Sequence, residues 1–175
     1  MATMLQLQKL AGVGNVQMVE VDAPVPGQDE VLVKVKRSLI SRGSELFGRY
    51  VVEQERPASV MGYSDAGDVV EVGDSVPGID IGQPMSMLSP HAEYVVGSLG
   101  EAGVAHPMPE GMSYTMASFL PLASGAVAWT LIPPVESGDT VVVMQEGMIK
   151  IVASDKITMK TTAQNNQGAG KSTQI

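Results

Sequence analysis

Hydroxyls and carboxylates carry most of the chemistry this sequence can offer. The run Ser41-Arg42-Gly43-Ser44-Glu45 places a cation, two hydroxyls and a carboxylate side by side. A second run, Tyr63-Ser64-Asp65, adds a phenol, another hydroxyl and another carboxylate. Arg42 can hold an anionic group, Glu45 can position a neighbour, and Tyr63 can give up a proton. Each has a plainer use. Arg42 and Glu45 can form a local salt bridge or a capping carboxylate, and Tyr63 can be a hydrogen-bonded barrel tyrosine. The two histidines, His91 before a strand and His106 before Pro107, read as surface or supporting residues rather than bases. No Ser-His-Asp constellation follows from spacing.

Composition closes several other routes. The chain has 175 residues and no cysteine, which excludes thiol nucleophiles, disulfides, iron–sulfur clusters and Cys-ligated zinc. Eleven Lys and Arg against nineteen Asp and Glu give a net charge of -8 and a pI near 4.6. Nucleic acid and anionic membranes both reward positive charge, so neither is an expected partner. Gly168-Ala169-Gly170-Lys171-Ser172-Thr173 resembles a phosphate loop only in part. Asn165 stands where the pattern wants glycine, and only two residues follow where a helix is wanted. Met85, Met87, Met108, Met112 and Met116 suit either a core or an adaptable binding surface.

The elements that position these residues are mostly strands. Residues 30–36 alternate, with Val31, Val33 and Val35 on one face and Leu32, Lys34 and Lys36 on the other. Residues 15–21, 67–73, 84–88 and 92–96 are further short strands, the 67–73 run bounded by glycines. Strands this short and closely spaced suit a small antiparallel barrel or sandwich. The pattern changes at Gly111. Ser113 can cap a helix over 113–120, and Pro121 opens a second helix that runs to about Leu131. Residues 111–135 carry no charge, but three prolines interrupt the stretch, so a buried helical segment is expected rather than a membrane span. No basic and apolar leader precedes it, and cytoplasm is the default location. Residues 140–144 read as a strand buried on both faces, and 161–175 as a polar tail.

In order, several segments resemble the medium-chain dehydrogenase/reductase superfamily, the zinc-type alcohol dehydrogenases and their zinc-free relatives. They are residues 30–35, 41–46, 61–67 running into 69–73, 81–84, 91–96, 108–112, 119–123 and 138–143. The resemblance implies a mainly β, GroES-like barrel over 1–135, with a few short helices toward its C-terminal end. It implies oxidoreductase ancestry with NAD(P) as the family's cofactor. It also places Arg42, Ser44, Glu45, Tyr63 and Ser64 at the substrate cleft, where a small molecule is expected to bind.

Two departures shape what is expected of this chain. Zinc-dependent members carry a Cys and a Gly-His-Glu run. Here the corresponding segments read Ser41-Arg42-Gly43-Ser44-Glu45 and Gly62-Tyr63-Ser64. Glu45 and Asp65 remain as oxygen donors, but thiolate and imidazole ligands are gone, and no metal site is expected. The second departure follows the strand at 140–144. Met144-Gln145-Glu146-Gly147-Met148 keeps one glycine where a dinucleotide loop needs several, and Glu146 would meet the pyrophosphate. No complete Rossmann domain and no bound cofactor are expected. Residues 136–160 read as a remnant strand and helix of a lost nucleotide-binding region, its flanks joined near Gly147. The expectation is an internally deleted oxidoreductase, inactive alone. The alternative is a non-enzymatic binding module on the same barrel. Removing the sheet that would cover residues 119–144 predicts self-association through them.

Overall fold

The computed structural model describes residues 2–53, 59–100, 103–131, 161–163 and 171–173. Contacts divide the chain into residues 1–123 and 124–175. The first unit is mainly β, as expected for a GroES-like barrel. β1 (Thr3–Lys9) pairs antiparallel with β2 (Val16–Asp22) and briefly with β4 (Ser59–Val60). A five-stranded antiparallel sheet has the order β7-β3-β5-β6-β8. Its strands are β3 (Glu30–Ser38), β5 (Asp65–Val72), β6 (Pro84–Met87), β7 (Tyr94–Ser98) and β8 (Ala105–Pro107).

The alternation read in β3 is the alternation observed. Val31 and Val33 are fully buried, while Lys34 and Lys36 are exposed. These valines meet Val69, Met85, Met87 and Val95 in one apolar cluster. Complete burial of such a side chain stabilises the fold by roughly 1.5–3 kcal/mol. Met85 and Met87 are thus core residues, whereas Met116 is exposed. Strand β3 can lie close to β5 because Gly67 has no side chain. A Cβ there would stand 2.1 Å from the Lys34 carbonyl oxygen. Two register shifts bend β3 against β5, between Leu32 and Val33 and between Val35 and Arg37.

The two sheets meet at residues 91–93. Leu7 N–H donates to the His91 carbonyl (2.8 Å), His91 N–H to the Met61 carbonyl (2.8 Å), and Met61 N–H to the Leu7 carbonyl (3.0 Å). Glu93 continues this seam, its N–H donating to the Leu5 carbonyl at 3.0 Å. β1 is the longest strand that the sequence pattern leaves unread, because Gln6, Gln8 and Lys9 blur its period.

Residues 42–50, to which the sequence pattern assigns no element, form a helix, Arg42–Tyr50, wound in the wide π manner. Its last turn is closed by Val51 N–H to the Leu46 carbonyl at 3.1 Å. Gly43 and Gly48 hide its helical character from a propensity reading. Near the other end of the described region, α1 (Tyr114–Ala117) starts where expected. Ser113 accepts the Met116 N–H at 3.2 Å. The Tyr114 hydroxyl ties α1 to Asp68 of β5. α2 (Leu120–Leu131) follows, with Pro121 in its first turn.

In the second unit, β9 (Thr161–Ala163) pairs antiparallel with β10 (Lys171–Thr173). The remnant strand and helix expected at 136–160 lie outside the described residues. Among the described residues no helix is long and apolar enough to cross a membrane.

Candidate functional site

A buried polar cluster sits where the π-type helix, β3, β5 and the 89–91 turn converge. Glu45 is 2% exposed, Asp65 0% and His91 7%. Three ionisable groups at such depth persist only when they satisfy one another. Glu45 Oε2 lies 2.8 Å from His91 Nε2, and its other oxygen accepts the Ser41 N–H at 2.7 Å. Glu45 is therefore both the capping carboxylate of its own helix and the partner of a distant histidine. Across the ring, His91 Nδ1 meets the Ser38 hydroxyl, which in turn donates to Asp65 Oδ1. Asp65 Oδ2 accepts from Ser89 at 2.8 Å. Among the described residues no buried side-chain polar atom lacks a partner.

Local chemistry explains why the cluster forms here. Gly62 adopts φ +97, a region open to glycine, and a Cβ at that position would stand 2.5 Å from His91 Cγ. The imidazole thus occupies the space that any other residue at 62 would fill. Burial pulls the His91 pKa down, but the neighbouring carboxylates of Asp65 and Glu45 outweigh it and leave the group raised above 6.5. The charged form is favoured, with one edge of the ring on Glu45 and the other toward Asp65, 3.8 Å away.

The sequence-derived cleft residues divide into two sets. Ser44 and Tyr63 stay together near the surface, their hydroxyl oxygens 3.3 Å apart. Arg42 is exposed on the same helix as Ser44. Ser64 is buried, and its hydroxyl donates to the Ser118 carbonyl at 2.6 Å, beneath α1 rather than toward solvent. Glu45 turns inward to His91. His91, read in sequence as a surface or supporting residue, is not at the surface. The β1 seam on one side and the Glu45 helix on the other bury it. Ser38 and Ser89 carry no sequence signal, because nothing local links positions 38, 45, 65, 89 and 91.

This donor set does not fit zinc. Glu45 and Asp65 approach opposite edges of one imidazole, so their oxygens cannot converge on a single ion. Among the described residues no group of three or more metal-capable side chains is arranged to hold a metal.

An open groove of about 440 Å³ reaches this cluster from outside. Leu7, Met18, Val35 and Ile40 give it apolar walls, Arg37 and Glu93 add charges of opposite sign, and Ser38 and His91 also line it, while Lys36 on the same rim is paired with Asp68 at 3.1 Å.

No family model matches the chain. It is 36% identical over 88 residues to an L-threonine 3-dehydrogenase of Pyrococcus furiosus, a match covering 48% of this chain and 25% of that protein. The chain therefore spans about a quarter of the length of the curated relatives it matches. Among solved structures it resembles the human synaptic vesicle membrane protein VAT-1 homolog-like protein (TM-score 0.68, 22% identity, 82% of this chain and 48% of that one). It also resembles a quinone oxidoreductase from Coxiella burnetii (TM-score 0.64, 23% identity, 82% and 49%).

Proposed function

The chain belongs to the medium-chain dehydrogenase/reductase superfamily, and from that premise we propose that its barrel is the substrate-side part of a zinc-independent NAD(P)-linked oxidoreductase. The observation that carries this reading is the Ser44–Tyr63 hydroxyl pair at 3.3 Å. By the sequence resemblance, it stands in the two segments where zinc-dependent members of the family keep their metal ligands. Two hydroxyls facing one point can donate to, or accept from, the oxygen of a carbonyl or alcohol. Arg42, exposed on the same helix, suits an anionic substituent. The carboxylates that could have served a metal are instead committed to His91.

Hydride transfer needs a nicotinamide held against the substrate. The cofactor's segment at 144–148 keeps one glycine and introduces Glu146, so the 175-residue chain is expected neither to hold NAD(P)H nor to turn over alone. A titration followed by NADPH fluorescence tests this, and saturable binding at micromolar concentration would overturn it. The cleft is tested by calorimetry with small ketones and quinones. Ser44→Ala and Tyr63→Phe should each weaken binding by about 2–10-fold, the worth of one hydrogen bond. Unchanged affinity in both, or stoichiometric zinc by elemental analysis, would remove the proposal.

A further inference from the structure

The groove that ends on Ser38 and His91 has no part in the reading above, yet its floor has the geometry of a nucleophile, a base and an orienting acid. We propose that Ser38, His91 and Glu45 form an acyl-transfer centre that cleaves small carboxylic esters through an acyl-Ser38 intermediate. Three observations carry it. Ser38 is exposed and lines the groove, while its oxygen is in hydrogen-bond contact with His91 Nδ1. His91 is held from its far edge by Glu45 at 2.8 Å, and Glu45 is itself fixed by the Ser41 N–H at 2.7 Å. The His91 backbone is pinned on both sides by the seam with Leu7 and Met61. A nucleophile within reach of a base, with the base oriented by a buried acid, is the arrangement that activates a hydroxyl.

The steps balance without any cofactor. With His91 neutral and its proton on Nε2 toward Glu45, the Nδ1 lone pair faces Ser38. The Ser38 proton passes to Nδ1 as the oxygen bonds to the ester carbonyl carbon. The tetrahedral adduct collapses, the carbonyl-to-oxygen bond of the leaving group breaks, and the departing oxygen takes the proton from Nδ1. Water then attacks the acyl-serine, His91 takes its proton, and the proton returns to Ser38 as the carboxylic acid leaves. Arg37 lines the same groove and supplies positive charge toward the oxyanion. Arg37 has guanidinium donors beyond the one bonded to the Lys36 carbonyl. The apolar walls suit a short acyl chain.

Asp65 sets the condition for activity. When His91 is charged, both ring nitrogens carry protons and the Ser38 hydroxyl turns to Asp65, so the nucleophile is blocked. The groups facing His91 are Glu45 from the π-type helix, Asp65 from β5 and Ser38 from β3, with Lys36, Arg37 and Glu93 along the groove. The two carboxylates hold His91 in its charged form above 6.5, so turnover should rise as pH climbs through that raised pKa.

The full chain is assayed with p-nitrophenyl acetate and butyrate from pH 6 to 9, and then treated with a fluorophosphonate and peptide-mapped. The expected result is ester release at least about tenfold above the spontaneous rate, increasing with pH, with the phosphonate on Ser38. Ser38→Ala should return release to the spontaneous rate. A second variant gives an answer independent of turnover. The chain has no cysteine, so Ser38→Cys introduces a single thiol at an exposed position. Paired with His91, that thiol should alkylate with iodoacetamide at pH 6–7 at least about tenfold faster than a free cysteine peptide. Phosphonate on another residue, ester release unchanged in Ser38→Ala, or a thiol that titrates like the free peptide would each overturn the proposal.

Discussion

Two buried regions of the barrel are held by opposite means. The cluster of Val31, Val33, Val69, Met85 and Met87 is apolar and owes its stability to area removed from water. Where β5 begins, Asp65 meets Glu45 from the π-type helix and His91 from the segment before β7, all three buried, yet nothing apolar compensates their desolvation. They are stable only as a set, each neutralising or hydrogen-bonding the next. The first region is non-directional and tolerates repacking at conserved volume. The second is directional, and removing one member leaves the rest uncompensated. The difference teaches where this fold spends precision: β3 uses one face for bulk packing and ends, at Ser38, in a polar network that only one arrangement satisfies.

The sharpest way to break that contrast is Glu45→Ala. At pH 6 it leaves a charged imidazole buried without its nearer carboxylate, and unfolding free energy in urea should fall by about 3–5 kcal/mol. The loss depends on pH. His91 has a raised pKa in the folded state, so its contribution is fully present below the unfolded value near 6.5 and fades as pH rises through the folded value. The cost of Glu45→Ala should therefore shrink between pH 6 and pH 9. A cost that stays constant across this range would mean that His91 is not charged in the native protein.

Met85→Ala should behave differently. It opens a cavity in the apolar cluster and should cost about 3 kcal/mol, equally at pH 6 and pH 9. A pH-dependent cost here would mean the two regions are not independent.

Gly62→Ala tests the boundary between them. The left-handed backbone and the contact with His91 together should cost about 2 kcal/mol. His91 should also move from Glu45, visible as a lowered imidazole pKa by NMR. A destabilised protein whose His91 titrates as before would mean that Gly62 serves the backbone alone.

The smallest effect concerns apolar groups that neither region covers. Phe119 is 42% exposed and Val127 53% exposed. Self-association through residues 119–144 predicts a weight-average mass that rises with concentration in sedimentation, and Phe119→Lys should reduce that rise several-fold. A monomer at every concentration would set the prediction aside.

Much of the barrel was legible in the sequence because its strands are short, half-buried and bounded by turn residues. Alternation found β3, glycines bounded most of β5, and Ser113 announced α1 one residue before it begins. The π-type helix was not legible, because Gly43 and Gly48 lower its helical propensity and an inward Glu45 leaves no apolar stripe to read. The site was legible only in its near-surface part. Arg42, Ser44, Glu45, Tyr63 and Ser64 come from two runs whose residue types speak for themselves, but their directions do not. Ser64 turns under α1, and Glu45 turns to a histidine that lies on a different element.

By itself the sequence determined what can be present: no thiol chemistry, a strong excess of acidic residues, a β-rich chain and two short runs of hydroxyls and carboxylates. Composition and local period depend on residue type and on neighbours a few positions away, so they survive without the fold. Tertiary structure alone decided that positions 38, 45, 65, 89 and 91 share one buried network. Those contacts span up to 53 positions, as between Ser38 and His91. They exist because the curling of β3 over β5 and the seam with β1 bring separate strand ends together, and the burial of their charges then requires that they pair.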